Sequence, residues 1–268
     1  SGAVKIPALR RKAEGLFFFV PALSHGWEWF ITTRSMLTAE PWLSVQDLAV
    51  HFGPPDAPVR AVNRVSFEVG RGEAVGLVGE SGCGKSLIAL SLGRLIPEPQ
   101  ARFAGGSIRV DGNDLLTLSE GELRRWRGRR LAYVFQEPSS ALNPVLTIER
   151  QIREVLGLHR PEADTPAEVD RLLSRVGLSD ARRVRRSYPH QLSGGMQQRA
   201  VLAMALAGQP DLLIADEPTT ALDVTVQAQI MELLSTLQRE LGMALLLITH
   251  NLGLVARATQ RLYVMYAG

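Results

Sequence analysis

Several kinds of residue and pattern are scarce in this 268-residue chain, and each scarcity narrows the reading. Cysteine occurs once, at Cys83, so no disulfide can close within the chain, which is compatible with a reducing cytosol. Long apolar runs are missing. Runs such as Leu16–Leu23, broken by Pro21, and Leu245–Ile248 fall well short of the roughly 20 residues that cross a bilayer. Charge of one sign is nearly balanced, and a net +3 is too mild to argue for nucleic acid. Lysine is the rarest cation: of 30 lysines and arginines only Lys5, Lys12 and Lys85 are lysine. Beyond residue 12 a lysine survives only at position 85. A compact point charge on a flexible stem fits a narrow phosphate cradle better than a planar guanidinium.

What is present is an ordinary globular composition, 46% hydrophobic, long enough for one large domain or two small ones. Residues 1–42 differ in character from the rest and are read as an N-terminal extension, with Met36 as an expected start. Arg10–Lys12 ahead of Leu16–Leu23 has only a faint signal-peptide order, and an upstream extension or an anchor packed on a neighbour is the preferred reading. From Leu43 the pattern is regular. Strands are predicted at Leu43–Val50, Val62–Val69, Glu73–Val78, Ser107–Val110, Leu131–Phe135, Leu212–Ala215, Leu245–Thr249 and Arg261–Tyr266, with a Gly/Pro turn at Phe52–Pro58. Helical spacing marks Lys85–Leu95, Thr147–Leu158, Pro166–Val176, Ser193–Ala207 and Val226–Leu241. Alternating strands and helices predict an α/β fold with a largely parallel sheet covered by helices. The helix-only stretch from about 139 to 190 predicts an inserted helical subdomain.

Three segments carry chemistry. Gly79-Glu80-Ser81-Gly82-Cys83-Gly84-Lys85-Ser86 follows a predicted strand and opens a predicted helix, the context in which a glycine-rich loop wraps phosphates with backbone N–H groups. Lys85 is expected to reach the β- and γ-phosphates and Ser86 to ligate Mg²⁺. The apolar run Leu212–Ala215 ends in Asp216 and Glu217, at the sheet edge where open α/β folds bind ligands. Asp216 is expected to hold Mg²⁺ and Glu217 to act on the attacking water as a general base. Finally, Leu192-Ser193-Gly194-Gly195-Met196-Gln197-Gln198-Arg199 is a second anion-binding helix start, with Ser193 as its N-cap. One nucleotide does not need two such starts. A head-to-tail pair of domains, each giving one start to each of two nucleotides, uses both.

With these motifs in place, residues 43–268 resemble the nucleotide-binding subunits of ABC transporters. The resemblance implies a P-loop NTPase (RecA-like) core with an antiparallel β subdomain and the inserted helical subdomain, ATP and Mg²⁺ as cofactors, and ATP hydrolysis coupled to transport. It identifies Ser193, Gly194, Gly195 and Gln197 with the family's signature. Gln136 is then the Q-loop glutamine that senses Mg²⁺ and water, Ala221-Leu222-Asp223 the D-loop with Asp223 facing nucleotide, and His250 the switch histidine at the γ-phosphate. Phe52 is the aromatic expected to stack on adenine. The segments FQEPSSALNP (135–144), YPHQ (188–191) and ADEPTTALDVTVQAQ (215–229) are similar to the peptide, dipeptide and nickel importer group. Implied partners are a second ABC ATPase domain, transmembrane permease subunits and, indirectly, an extracytoplasmic solute-binding protein, at the cytoplasmic face of the inner membrane, with no nucleic acid expected. Relatives have aspartate where this chain has Asn251, and continue past Gly268, so truncation relative to the family is expected.

The rival reading is a soluble ABC ATPase acting on nucleic acid or ribosomes. Such proteins carry coiled-coil, zinc or linker insertions, and none interrupts the motifs here. The basic clusters Arg124–Arg130 and Arg182–Arg186 interleave too few aromatics to suggest base stacking and are read as a solvated face near anionic lipid or a permease. His25, His159 and His190 have no metal-ligand spacing.

Overall fold

A computed structural model describes residues 41–220 and 222–266. The expectations for residues 1–40, for Ala221 of the D-loop and for the chain end at Gly268 lie outside the described residues.

Two sheets divide the chain. β1 (Leu43–Phe52), β2 (Val59–Val69), β4 (Ala101–Val110) and β5 (Asn113–Asp114) form an antiparallel sheet in the order β2-β1-β4-β5. β3 (Ala74–Gly79), β6 (Leu131–Val134), β7 (Leu212–Asp216), β8 (Ala244–Thr249) and β9 (Arg261–Met265) form a parallel sheet in the order β6-β7-β8-β3-β9. β3, β6, β7 and β8 read as apolar runs because both faces are covered, whereas β9 at the sheet edge is only partly buried. Every residue of β7 and β8 is buried.

Side-chain alternation assigns the two faces. Leu213, Ala215, Leu245 and Leu247 join one core with α7 (Gly194–Leu206) and α8 (Val224–Leu241). Leu212, Ile214, Leu246 and Ile248 join the other, with α1 (Lys85–Leu92) and the antiparallel sheet. Between β6 and β7 every element is helical: α3 (Pro138–Ala141), α4 (Ile148–His159), α5 (Pro166–Arg175), α6 (Ala181–Arg186), two 3₁₀ turns and α7. These helices start where side-chain caps dictate. Thr147, Thr165, Asp180 and Ser193 each accept from the backbone N–H three residues on, a contact worth about 1 kcal/mol apiece.

Some elements depart from the sequence expectation for identifiable reasons. α1 stops at Leu92, not Leu95, because the Gly93 N–H turns back to Leu90 and a side chain at Gly93 would strike Tyr133. The strand expected at 107–110 begins at Ala101. Gly105 and Gly106 hide it in the sequence, yet β4 runs through them with a register shift opposite Ala49. Gly106, at φ +90°, lies against the Asp47 backbone where a Cβ would not fit. Two helices carry no apolar periodicity long enough to see. α2 (Glu120–Trp126) starts at a Ser119/Glu122 capping box, and α9 (Leu252–Ala258) starts at Asn251. Among the described residues no helix is long and apolar enough to cross a membrane.

Candidate active site

Parallel pairing brings four segments to one edge. β3 ends in the phosphate loop, β6 runs out toward Gln136, β7 ends at Asp216-Glu217, and β8 ends at Thr249 before His250. In the register, Val78 sits beside Thr249, and Asp216 beside Ile248. Side chains scattered over more than 170 positions of sequence thus share the C-terminal end of one sheet.

The loop from Gly79 to Ser86 turns tightly. Gly84 adopts φ +100°, and a Cβ there would meet the Ala61 carbonyl, so only glycine fits. Gly82 is also left-handed but faces open space, leaving its backbone approachable. Lys85 is 5% exposed, and its Nζ donates to the carbonyls of Gly79 (3.0 Å) and Glu80 (2.7 Å). The buried Cys83 thiol lies 3.6 Å from the same ammonium. Glu80, Ser81, Gly82 and Ser86 are exposed.

Asp216 is 7% exposed, and its Oδ1 is buried with no hydrogen-bond partner among the described residues. Burial pushes its carboxyl above the usual range, and the neighbouring Glu217 carboxylate adds to this, against the opposing pull of Ser86 and Lys85. A desolvated carboxylate oxygen left unpaired beside a serine hydroxyl is an arrangement that a hard divalent cation satisfies. Ser86 and Asp216 therefore fit Mg²⁺.

Glu217 has a left-handed backbone, φ +47°, unusual for a residue other than glycine and stabilised here by its N–H donating to Ile248 O at 2.8 Å. Its Oε1 lies 3.1 Å from His250 Nδ1, and its Oε2 accepts from the Thr220 hydroxyl at 2.8 Å. Burial alone would raise this carboxyl; the His250 and Thr220 hydrogen bonds, with the charges of His250 and Lys85, outweigh it and hold Glu217 below the usual carboxylate range. Asn251, in place of the expected aspartate, keeps the local bonding: its Oδ1 accepts from Gly253 N and Leu254 N and caps α9.

The remaining expected site residues make no hydrogen bond or ion pair to this group among the described residues. Ser193 caps α7 at its exposed start. Gly194 and Gly195 face Leu222 and Val226 of the next loop and helix, not the phosphate loop. Gln197 turns its amide back to the Pro189 and Leu192 carbonyls. Asp223 caps α8 through Val226 N. Among the described residues no hydrogen bond or ion pair joins this second group to Lys85, Asp216, Glu217 or His250. Gln136 is exposed beyond β6. Phe52 closes β1, half-buried against the core of the antiparallel sheet. Thr220 escaped sequence reasoning; a hydroxyl three residues after the terminal carboxylate was the available signal. Some of the arginines in the basic clusters are held in ion pairs. Arg130 pairs with Asp111 and Asp211, and Arg185 with Glu149 and Asp170. No cluster of three or more potential metal-ligating His, Cys, Asp or Glu side chains occurs among the described residues.

A sequence model of the family described as ABC transporter matches residues 62–220. The chain is 49% identical over 228 residues to a probable peptide ABC transporter ATP-binding protein, y4tR, of Sinorhizobium fredii, covering 84% of this chain and 68% of that one. It is 50% identical over 229 residues to the dipeptide transport ATP-binding protein DppD of Escherichia coli, covering 84% and 69%. With the peptidoglycan transport ATP-binding protein YejF of Agrobacterium fabrum it shares 52% over 233 residues, spanning 85% of this chain but only 42% of that one. Among solved structures, a dimeric ATP-binding cassette in a post-hydrolysis state, bound to ADP and Pi, superposes with a TM-score of 0.72 at 29% identity, covering 84% of this chain and 95% of that one.

Proposed function

This chain belongs to the ABC transporter family, and on that premise we propose that it is the ATP-hydrolysing motor of an importer for peptides, dipeptides or related small solutes. The relatives named for peptide and dipeptide transport support the cargo class. As an ABC ATPase domain it works on ATP with Mg²⁺.

The observation that carries the mechanism is the division of the site into two groups. The phosphate loop, Asp216, Glu217 and His250 share one sheet edge, while the Ser193–Gly195 start belongs to a separate surface with Asp223. One chain offers half of each of two composite sites, which a head-to-tail pair completes. The dimeric cassette bound to ADP and Pi is the kind of assembly this reading requires.

In the proposed cycle the backbone N–H groups of Gly79–Ser86 cradle the phosphates, and Lys85 exchanges its two carbonyl contacts for phosphate oxygens. Ser86, Asp216 and Gln136 would hold Mg²⁺, which when bound would neutralise charge on the phosphates. Glu217, kept ionised by its neighbours, accepts the proton of the attacking water. His250 holds Glu217 at one oxygen and Thr220 holds it at the other, so the free lone pairs are aimed. The partner's Ser193–Gly195 start closes over the nucleotide, so ATP binding favours the closed pair and hydrolysis releases it. Phe52 stacks on the base. Residues 43–268 form the motor domain, the helical stretch from about 139 to 190 with Gln136 takes the permease, and the protein sits peripherally at the inner membrane.

Affinity capture from native membranes tests the transport reading. Recovery of a polytopic permease together with a second ATPase domain supports it. Recovery of ribosomes or nucleic acid with salt-sensitive binding contradicts it.

A further inference from the structure

Three helices share a local construction that no apolar periodicity would reveal. α4, α7 and α8 each follow the pattern Leu, capping residue, three residues, Gln: Leu146-Thr147 with Gln151, Leu192-Ser193 with Gln197, Leu222-Asp223 with Gln227. In all three the leucine N–H closes a turn onto the carbonyl three residues earlier: Asn143 (3.3 Å), Pro189 (3.0 Å) and Thr219 (3.1 Å). In all three the glutamine Nε2 then reaches back out of the first helical turn and donates to both ends of that turn. Gln151 meets Asn143 O at 3.1 Å and Leu146 O at 3.0 Å. Gln197 meets Pro189 O at 2.9 Å and Leu192 O at 3.2 Å. Gln227 meets Thr219 O and Leu222 O, both at 3.0 Å.

The coincidence is not a general property of capped helices here. The other four side-chain-capped helices carry a buried apolar residue at the glutamine position: Leu123, Val169, Val184 and Val255. There the first turn is anchored by the core. In α4, α7 and α8 it is anchored to its own entry loop. A carboxamide suits this because both its N–H groups donate while it stays neutral beside two carbonyl dipoles. Glutamate of the same shape would set an oxygen against both.

The three locked loops are those on which the proposed cycle depends: the segment leading into the helical stretch, the Ser193–Gly195 start, and the loop whose Thr220 holds Glu217. Resting on that reading, we infer that Gln151, Gln197 and Gln227 are positioning residues that keep these loops preformed, so that two chains dock as rigid bodies without first ordering their contact loops. Preformed loops lose less conformational freedom on docking. Gln197, expected from the sequence to face nucleotide, holds its own entry loop through the same amide.

Hydrogen exchange by mass spectrometry on the whole chain reads each lock separately. In Gln197→Leu and Gln197→Glu, exchange of the segment 188–193 rises about tenfold while 217–222 keeps its protection; in Gln227→Leu and Gln227→Glu the pattern reverses. The isosteric glutamate variants carry the same expectation should a leucine variant fail to fold. In a Glu217→Gln background, Gln227→Glu shifts MgATP-driven dimerisation to about tenfold higher protein concentration while a single chain's affinity for MgATP stays within about twofold. Unchanged exchange, both segments loosening together in either variant, or unaltered dimerisation overturns the inference. If the chain with intact locks forms no MgATP-dependent dimer, the motor reading fails, and the exchange pattern alone still decides the locks.

Discussion

His250 Nδ1 lies 3.1 Å from Glu217 Oε1, joining the ends of two adjacent parallel strands through one carboxylate. Thr220 occupies the other oxygen of that carboxylate at 2.8 Å. Glu217 is thereby fixed at both oxygens on a backbone already in the left-handed region.

Thr220→Val removes one of the two hydrogen bonds that hold Glu217 below the usual carboxylate range. The sign follows directly. Glu217 must be ionised to accept a proton, so turnover is lost as pH falls through its pKa. Removing the hydroxyl raises that pKa, and the acid-side loss of turnover begins at higher pH. A kcat–pH profile of ATP hydrolysis checks this; an unmoved acid limb counts against Thr220 as a positioning residue.

Glu217→Gln keeps shape and removes the base. Turnover is expected to fall by about 10²- to 10⁴-fold while nucleotide binding persists. Steady-state hydrolysis beside equilibrium binding of a fluorescent ATP analogue measures both quantities.

Lys85→Ala deletes a charged donor from the loop. Affinity for MgATP is expected to drop by about 10- to 100-fold, the range for a hydrogen bond to a charged group. Because Lys85 also joins the Gly79 and Glu80 carbonyls, the empty protein loses some loop order as well. Titration calorimetry gives the affinity, and retained tight binding would remove Lys85 from the phosphate site.

Asn251→Ala removes the cap of α9 and leaves two N–H groups unmet. It should cost about 1 kcal/mol in urea unfolding, whereas Asn251→Asp, which also caps well, should cost little. Equal losses in both variants would show that the cap is not what Asn251 contributes.

The sequence was most informative where chemistry and periodicity coincide. β3, β7 and β8 are short apolar runs buried on both faces, and each ends in a polar or glycine-rich segment, so the site edge was readable before its geometry. Helices whose stability comes from caps were not. α2 rests on the Ser119/Glu122 box and α9 on Asn251, and neither has an apolar stripe long enough to register. β4 was cut short because glycine reads as a break, although Gly106 serves a close backbone approach inside the strand. The clasp of Thr220 on Glu217 and the double reach of the three glutamines depend on side-chain direction. Spacing shows that such residues recur, but not which carbonyls they meet.

On the proposed reading, one chain holds half of each of two nucleotide sites. Sedimentation of the Glu217→Gln variant with and without MgATP tests it most directly. The variant should be a monomer that becomes a dimer on adding MgATP and returns to monomer when the nucleotide is removed. A chain that binds MgATP and remains monomeric across the accessible protein concentrations would contradict the claim that its two halves complete each other.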